Sequence, residues 1–135
     1  MLALSRAHAQ IGGLETEAAL SEARGMLALS EKDPLRAVEQ LRQAAAGWQA
    51  LGRPYDQARA LTDLGRALAL AGDATKARAA LDQALSLVEA LAAQLEDPEV
   101  KAAFLDSPLV QELRSLLSVT AEDRQQVLGS GRRKK

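Results

Sequence analysis

The feature that most constrains this chain is an internal repeat with an offset of 40 residues. When the sequence is compared with itself at this offset, five identical residues fall at matching points of two segments with helix–turn–helix spacing. The identical pairs include Gly25 with Gly65, Asp33 with Asp73, Ala37 with Ala77, Leu41 with Leu81, and Ala44 with Ala84. Because one such unit cannot bury its apolar face alone, the repeat predicts stacked helical pairs.

Prolines and glycines divide the chain into short helices. Pro54 follows a helix stop at Gly52, and Gly12-Gly13 predicts a helix break and a flexible link. The other prolines each follow a residue whose side chain can cap a helix, in the pairs Asp33-Pro34, Asp97-Pro98 and Ser107-Pro108. The predicted helices span residues 2–11, 14–31, 34–51, 54–71, 74–95, 98–105 and 108–118. Links of two or three residues make neighbouring helices antiparallel.

Composition agrees with an all-α fold. Hydrophobic residues make up 47% of the chain but aromatic residues only 2%, so the apolar residues are mainly alanine and leucine, which favour helices. A β-sheet would require runs of valine, isoleucine and aromatic residues, which are absent. The chain has no cysteine, and its net charge is −1. It has no long apolar run and no signal-peptide pattern, so we expect a soluble, cytoplasmic protein.

The spacing within the units resembles the tetratricopeptide repeat. That family has large residues and Leu-Gly on the first helix, and alanines around a large residue on the second. Residues 58–91 match closely, whereas residues 18–51 match in part, because Ser21 and Arg24 replace large residues. The matching residues of the closer unit are Leu61, Leu64, Gly65, Leu68, Gly72, Ala77, Leu81 and Ala84.

The resemblance implies antiparallel helix–turn–helix repeats stacked as a short right-handed solenoid. Its predicted parts are a partial repeat helix (1–13), two helical hairpins (14–95), C-terminal capping helices (96–118) and a flexible basic tail (119–135). The elongated units, of about 40 residues, look like those in the C-terminal regions of large bacterial ATP-dependent regulators. The chain is therefore predicted to be the regulatory arm of a bacterial signalling or transcription regulator.

For function, the resemblance implies a scaffold that binds a peptide or helix of another protein. The first helix of each unit would line the groove, with Glu22, Met26, Leu29, Arg59, Thr62, Arg66 and Ala69 as the partner-binding residues, next to Ala19. Arg59 and Arg66 lie seven residues apart on one side, which would suit an acidic peptide. Ordinary solvated surface charges are the alternative. Trp48 is expected to pack in the core, or else to serve with Tyr55 as an anchor for the partner.

No residue pattern predicts catalysis or a bound cofactor. His8 is the only histidine, and no cysteine is present to complete a metal site. Neither Gly12-Gly13 nor Gly129-Ser130-Gly131 carries the lysine and hydroxyl of a phosphate-binding loop. Carboxylates near helix starts are explained by the helix dipole. We therefore expect no enzyme activity, metal or cofactor.

Two further hypotheses concern the ends of the chain. Met1, Leu2 and Leu4 give the first helix no polar cap, which suggests a fragment of a longer array, or an end covered by a partner or by a second copy. The second copy would make the chain a homo-oligomer, which is the alternative function. The basic tail, Arg132-Arg133-Lys134-Lys135, would bind nucleic acid or an acidic lipid only weakly and with strong salt dependence, and no aromatic residue lies nearby to stack on bases. A disordered end that keeps the chain soluble is the alternative.

Overall fold

The computed structural model describes the backbone of residues 2–119 and the side chains of residues 13–119. Within this part of the chain the structure has six helices and no strand, which confirms the all-α prediction. The helices are α1 (Leu2–Ser30), α2 (Pro34–Ala50), α3 (Pro54–Leu70), α4 (Ala74–Ala93), α5 (Pro98–Leu105) and α6 (108–119). Helices α1 and α2 form one hairpin, α3 and α4 form a second, and α2 packs on α3 to join them. This packing is that of a helical-repeat protein.

The first three turns have the same conformation and recur every 20 residues. The residue that ends each turn has a left-handed backbone, with φ of 61° at Lys32, 67° at Gly52 and 89° at Gly72. In each turn the next amide donates to a carbonyl five residues earlier, at 2.8–2.9 Å; the pairs are Asp33 to Ala28, Arg53 to Trp48, and Asp73 to Leu68. Because α2 and α3 have equal lengths, these turns place successive helices in equivalent positions.

The helix starts follow the predicted capping pattern with one exception. The side chains of Asp33 and Asp97 accept hydrogen bonds from amides in the first turns of α2 and α5, as predicted. The side chain of Asp73 does the same in the first turn of α4. Ser107 precedes α6 as predicted, but its hydroxyl is buried and makes no hydrogen bond among the described residues. Its carbonyl instead accepts from the Gln111 amide at 3.0 Å. The cap predicted for the Ser107 side chain is therefore wrong.

Helix α1 is longer than the sequence predicts. The predicted break at Gly12-Gly13 is wrong, because α1 continues through both glycines from Leu2 to Ser30. A glycine in a helix costs about 1 kcal/mol relative to alanine, and here that cost does not end the helix. A Cβ on Gly13 would meet no atom within 4 Å, so packing does not require the glycine.

The two hairpins share one close packing contact. A Cβ added to Gly25 would lie 2.5 Å from Cγ of Leu41, and a Cβ added to Gly65 would lie 2.5 Å from Cδ2 of Leu81. Both leucines are buried. Glycine is therefore needed at these crossings so that the two helices of each hairpin can approach closely. The 40-residue repeat reproduces this contact in both units.

The C-terminal helices pack on the second hairpin. Val110 and Leu113 of α6 are completely buried and belong to the same core as Val88 of α4. Phe104 of α5 is partly buried against that core. The apolar side of α4 is therefore covered by residues from the segment predicted as a cap.

We expect Gly65→Ala to lower the free energy of unfolding by about 1–2 kcal/mol, because the added methyl overlaps Leu81. Combining it with Leu81→Ala should cost less than the sum of the two single changes, because the methyl fills part of the space that Leu81 leaves. Gly13→Ala is the matched control and should be stabilising by up to about 1 kcal/mol. Urea unfolding measures all four proteins. Additive losses for the Gly65 and Leu81 pair would contradict the close contact.

The three equivalent turns allow a second prediction. Lysine is strained at a positive φ, so Lys32→Gly should raise the free energy of unfolding by about 0.5–1 kcal/mol. Gly72→Ala should lower it by about 1 kcal/mol, since open space surrounds that position and only the backbone is strained. Thermal and urea unfolding would measure both. Changes of the same sign would show that the two turns differ.

Candidate protein-binding groove

One face of α3 carries a row of alternating charges. The row, called here the ionic row, consists of Asp56, Arg59, Asp63 and Arg66, spaced three or four residues apart. Arg59 contacts Asp56 at 2.9 Å, and Arg66 lies 3.6 Å from Asp63. Because α3 lies between its neighbours, this row is placed to contact other helices.

The carboxylate of Glu22 joins α1 to both α2 and α3. It accepts hydrogen bonds from Arg59 Nε at 2.8 Å and Nη2 at 3.2 Å, and from the indole Nε1 of Trp48 at 3.0 Å. Burial alone would lower the pKa of Arg59, but the hydrogen bond and charge of Glu22, with Asp56, outweigh it and raise the pKa. Arg59 therefore stays charged and is held in a two-pronged ion pair.

A second ion-paired contact lies beside the turn between α2 and α3. Arg53 contacts Glu15 of α1 at 2.8 Å and Asp56 of the ionic row at 3.0 Å. Its guanidinium carbon lies 5.5 Å from the centre of the Trp48 ring, within the range of a cation–π interaction. Charged and aromatic groups thus connect this turn to α1.

The other end of the ionic row contains a buried carboxylate. Asp63 is only 7% exposed. Burial raises the pKa of Asp63, the positive charge of Arg66 opposes the rise, and the negative charge of Glu22 adds to it. Arg66 also forms an ion pair with Glu112 of α6. The row therefore connects α3 to α1 at one end and to α6 at the other.

These contacts change the interpretation of the predicted groove. Arg59 and Arg66 lie on one side of α3 as predicted, but both are already engaged in intramolecular ion pairs. An acidic peptide would have to displace Glu22 or Glu112 to reach them. Thr62 was predicted to face the partner, yet it is completely buried and its hydroxyl donates to the Ala58 carbonyl at 2.7 Å. That placement is wrong, because a side chain with no exposed surface cannot contact a partner.

The remaining predicted residues differ in exposure. Ala19, Met26 and Ala69 are exposed, Met26 by 41%, whereas Leu29 is half-buried against the core. Whether any of them binds a partner stays a prediction.

The two aromatic residues predicted as possible anchors differ in exposure. Trp48 is 4% exposed, as packing in the core predicts, so it is not an exposed anchor. Tyr55 is 42% exposed, and its ring centre lies 6.4 Å from that of Phe104. Of the two predicted anchors, only Tyr55 is accessible.

Sequence reasoning missed one exposed residue on this side of α3. Leu70 is 63% exposed and lies four residues after Arg66 and seven after Asp63, so it continues the face of the ionic row. Helical spacing alone was a sufficient signal for it. The ion-pair partners Glu15 and Glu112 had no comparable signal, since they come from other helices.

Among residues 13–119, no group of three or more histidine, cysteine, aspartate or glutamate side chains is placed to hold a metal ion. In the described part of the chain, no helix has both the length and the apolar character needed to cross a membrane. The His8 side chain and the tail Arg132-Arg133-Lys134-Lys135 lie outside the described residues.

The chain matches a protein-family model. The model of the tetratricopeptide repeat family matches residues 15–90, more than half of the chain. The matched range covers α1 from residue 15 onward, all of α2 and α3, and most of α4. Comparisons with curated proteins and with solved structures found no significant match.

The buried carboxylate gives a prediction about pH. Because the pKa of Asp63 is raised on folding, its charged form destabilises the folded state at neutral pH. Asp63→Asn should therefore raise the free energy of unfolding near pH 7. As the pH falls through the folded-state pKa of Asp63, the unchanged protein takes up a proton on folding, and this stabilises its folded state. The difference in free energy of unfolding between Asp63→Asn and the unchanged protein should therefore shrink.

Urea unfolding at a series of pH values, from about pH 7 down to about pH 4, which is close to the ordinary pKa of aspartate, would measure this difference. If Asp63→Asn were less stable at pH 7, the ion pair with Arg66 would outweigh the cost of burying the carboxylate.

Proposed function

The chain belongs to the tetratricopeptide repeat family, a non-catalytic repeat that mediates protein–protein interactions, and we propose that it binds a helix of another protein across α1 and α3. These are the first helices of the two hairpins. The proposed surface, called here the first-helix face, consists of Ala19, Met26, Ala69 and Leu70.

The observation that carries this proposal is the exposure of two large apolar residues beside the ionic row. Met26 is 41% exposed and Leu70 is 63% exposed. Met26 lies one turn after Glu22, and Leu70 lies one turn after Arg66, so both are toward the C-terminal ends of parallel-running first helices. Exposed apolar residues next to charged ones suit the apolar side of an amphipathic helix.

In this proposal the arginines shape the surface and the apolar residues supply most of the affinity. If a carboxylate of the partner formed an ion pair with Arg59, Glu22 would lose its own ion pair with that arginine. Leaving the half-buried charge of Glu22 unpaired would cost free energy. The ion pairs hold α1 and α3 in place before the partner arrives. A surface arranged in advance loses less conformational entropy on binding.

To test the proposal, a photo-crosslinking residue at position 26 of the full chain would first identify the partner. Isothermal titration calorimetry would then compare variants with that purified partner. Met26→Asp and Leu70→Asp should each weaken binding by about tenfold or more, as expected for residues at the centre of an interface.

Leu35→Asp is the matched control, because Leu35 is 74% exposed on α2, away from the first-helix face. It should leave the affinity unchanged, and circular dichroism should show that all three variants remain helical. Unchanged binding by Met26→Asp and Leu70→Asp would exclude the first-helix face as the site.

The finer biological role rests on the likeness of the 40-residue spacing to that of large bacterial ATP-dependent regulators. We propose that the chain acts in the cytoplasm as the interaction arm of such a regulator. Finding an ATPase or DNA-binding domain in the same reading frame would support this role, and finding only a membrane or secreted domain there would contradict it.

A further inference from the structure

The outer side of α1 exposes two leucines at positions that are buried in the second hairpin. Leu20 is 47% exposed and Leu27 is 57% exposed, whereas their equivalents 40 residues later, Ala60 and Ala67, are both completely buried. The two hairpins have the same internal glycine–leucine contact. The difference in exposure must therefore come from what lies outside each hairpin.

In the second hairpin, the covering element is the first hairpin. Helix α2 packs along α3, and α1 also contacts it. The positions on α3 that are equivalent to Leu20 and Leu27 thus lie in the contact between the hairpins. On α1, no described helix covers the two leucines. They are also larger than the alanines at the equivalent positions, so they leave more apolar surface in water.

Among the described residues at the opposite end of the array, the exposed side of α6 is not an apolar match for these leucines. Val110 and Leu113 of α6 are buried, and the exposed residues of that helix are mainly polar: Gln111, Arg114, Ser115 and Ser118, with Val119 at its end. Head-to-tail stacking would place the leucines of α1 against this polar side. Contact between two copies of the same α1 surface, around a two-fold axis, avoids that mismatch.

Charges beside Leu20 favour such a two-fold contact. Glu17 and Arg24 are both exposed on the same side of α1, and neither has an ion-pair partner among residues 13–119. They lie seven residues apart, about 10 Å along the helix, which is too far for them to pair with each other. In an antiparallel copy of α1, Glu17 would lie beside Arg24 of the second copy, and Arg24 beside its Glu17.

We propose that this chain forms a dimer through α1, with two copies of the helix antiparallel about an axis between Leu20 and Ser21. In this register Leu20 packs on Leu20 of the second copy. Leu27 packs over its Gly13, where a Cβ would meet nothing within 4 Å and space is open. Two Glu17–Arg24 pairs flank the leucines. The dimer contact thus uses the side of α1 that is equivalent to the side of α3 on which the two hairpins meet.

Sedimentation velocity on the full chain would test the proposal. A dimer is expected at micromolar concentrations, and Leu20→Glu or Leu27→Glu should weaken it by about 100-fold, because each places a charge in an apolar contact. Leu35→Glu on α2 is the matched control and should dimerise normally. A chain that is monomeric at about 500 µM overturns the proposal, as does a dimer that Leu20→Glu and Leu27→Glu leave unchanged.

The charges test the orientation of the helices. Arg24→Glu should weaken the dimer about tenfold, because it gathers four carboxylates at the contact. Adding Glu17→Arg should restore it, because both pairs then re-form with their signs exchanged. Failure of this double change to restore the dimer overturns the antiparallel register.

The dimer and the proposed partner site can be separated experimentally. Met26→Asp lies on the first-helix face and should leave the dimer intact, while Leu20→Glu should leave partner binding intact. The loss of one activity without the other therefore identifies which of the two proposals has failed.

Discussion

The placement of the first three helices depends on the carboxylate of Glu22. Most of the core consists of alanine and leucine, whose contacts have little directional preference. The bonds from Glu22 to the Arg59 guanidinium and the Trp48 indole are directional, and they join α1 to both of its neighbours. Apolar burial brings the helices together, while this polar contact favours one position of α1 beside α3.

The contact between Glu22 and Arg59 illustrates one of two roles that charged residues can have in a groove. An arginine in water can recruit an acidic ligand, whereas an arginine already paired at short range on a partly buried face mainly organises its own protein. Arg59 is of the second kind, and Arg66, paired with Glu112, resembles it. In the proposed function, Met26 and Leu70, which take part in no such ion pair, would supply most of the affinity for a partner.

The parts of the fold that were predictable are those encoded locally or by repetition. Gly25 and Gly65 stand at the same step of two units, and Asp33 and Asp73 begin equivalent helices, so one sequence comparison reveals both. The candidate site was less predictable, because its ion pairs join different helices and follow no period. Gly12-Gly13 shows another limit, since glycines permit a turn but do not impose one when helix continues on both sides.

The regular 20-residue interval between the turns at Lys32, Gly52 and Gly72 also affects how such a gene can change length. A duplicated segment of two such intervals would begin and end at turns with the same backbone conformation. Its helices would therefore pack on their neighbours at the angles already present. The ionic contact does not duplicate in this way, because Thr62 stands where Glu22 does in the first hairpin. The array can therefore be lengthened by recombination, whereas each added unit would need further substitutions before it had an equivalent ionic contact.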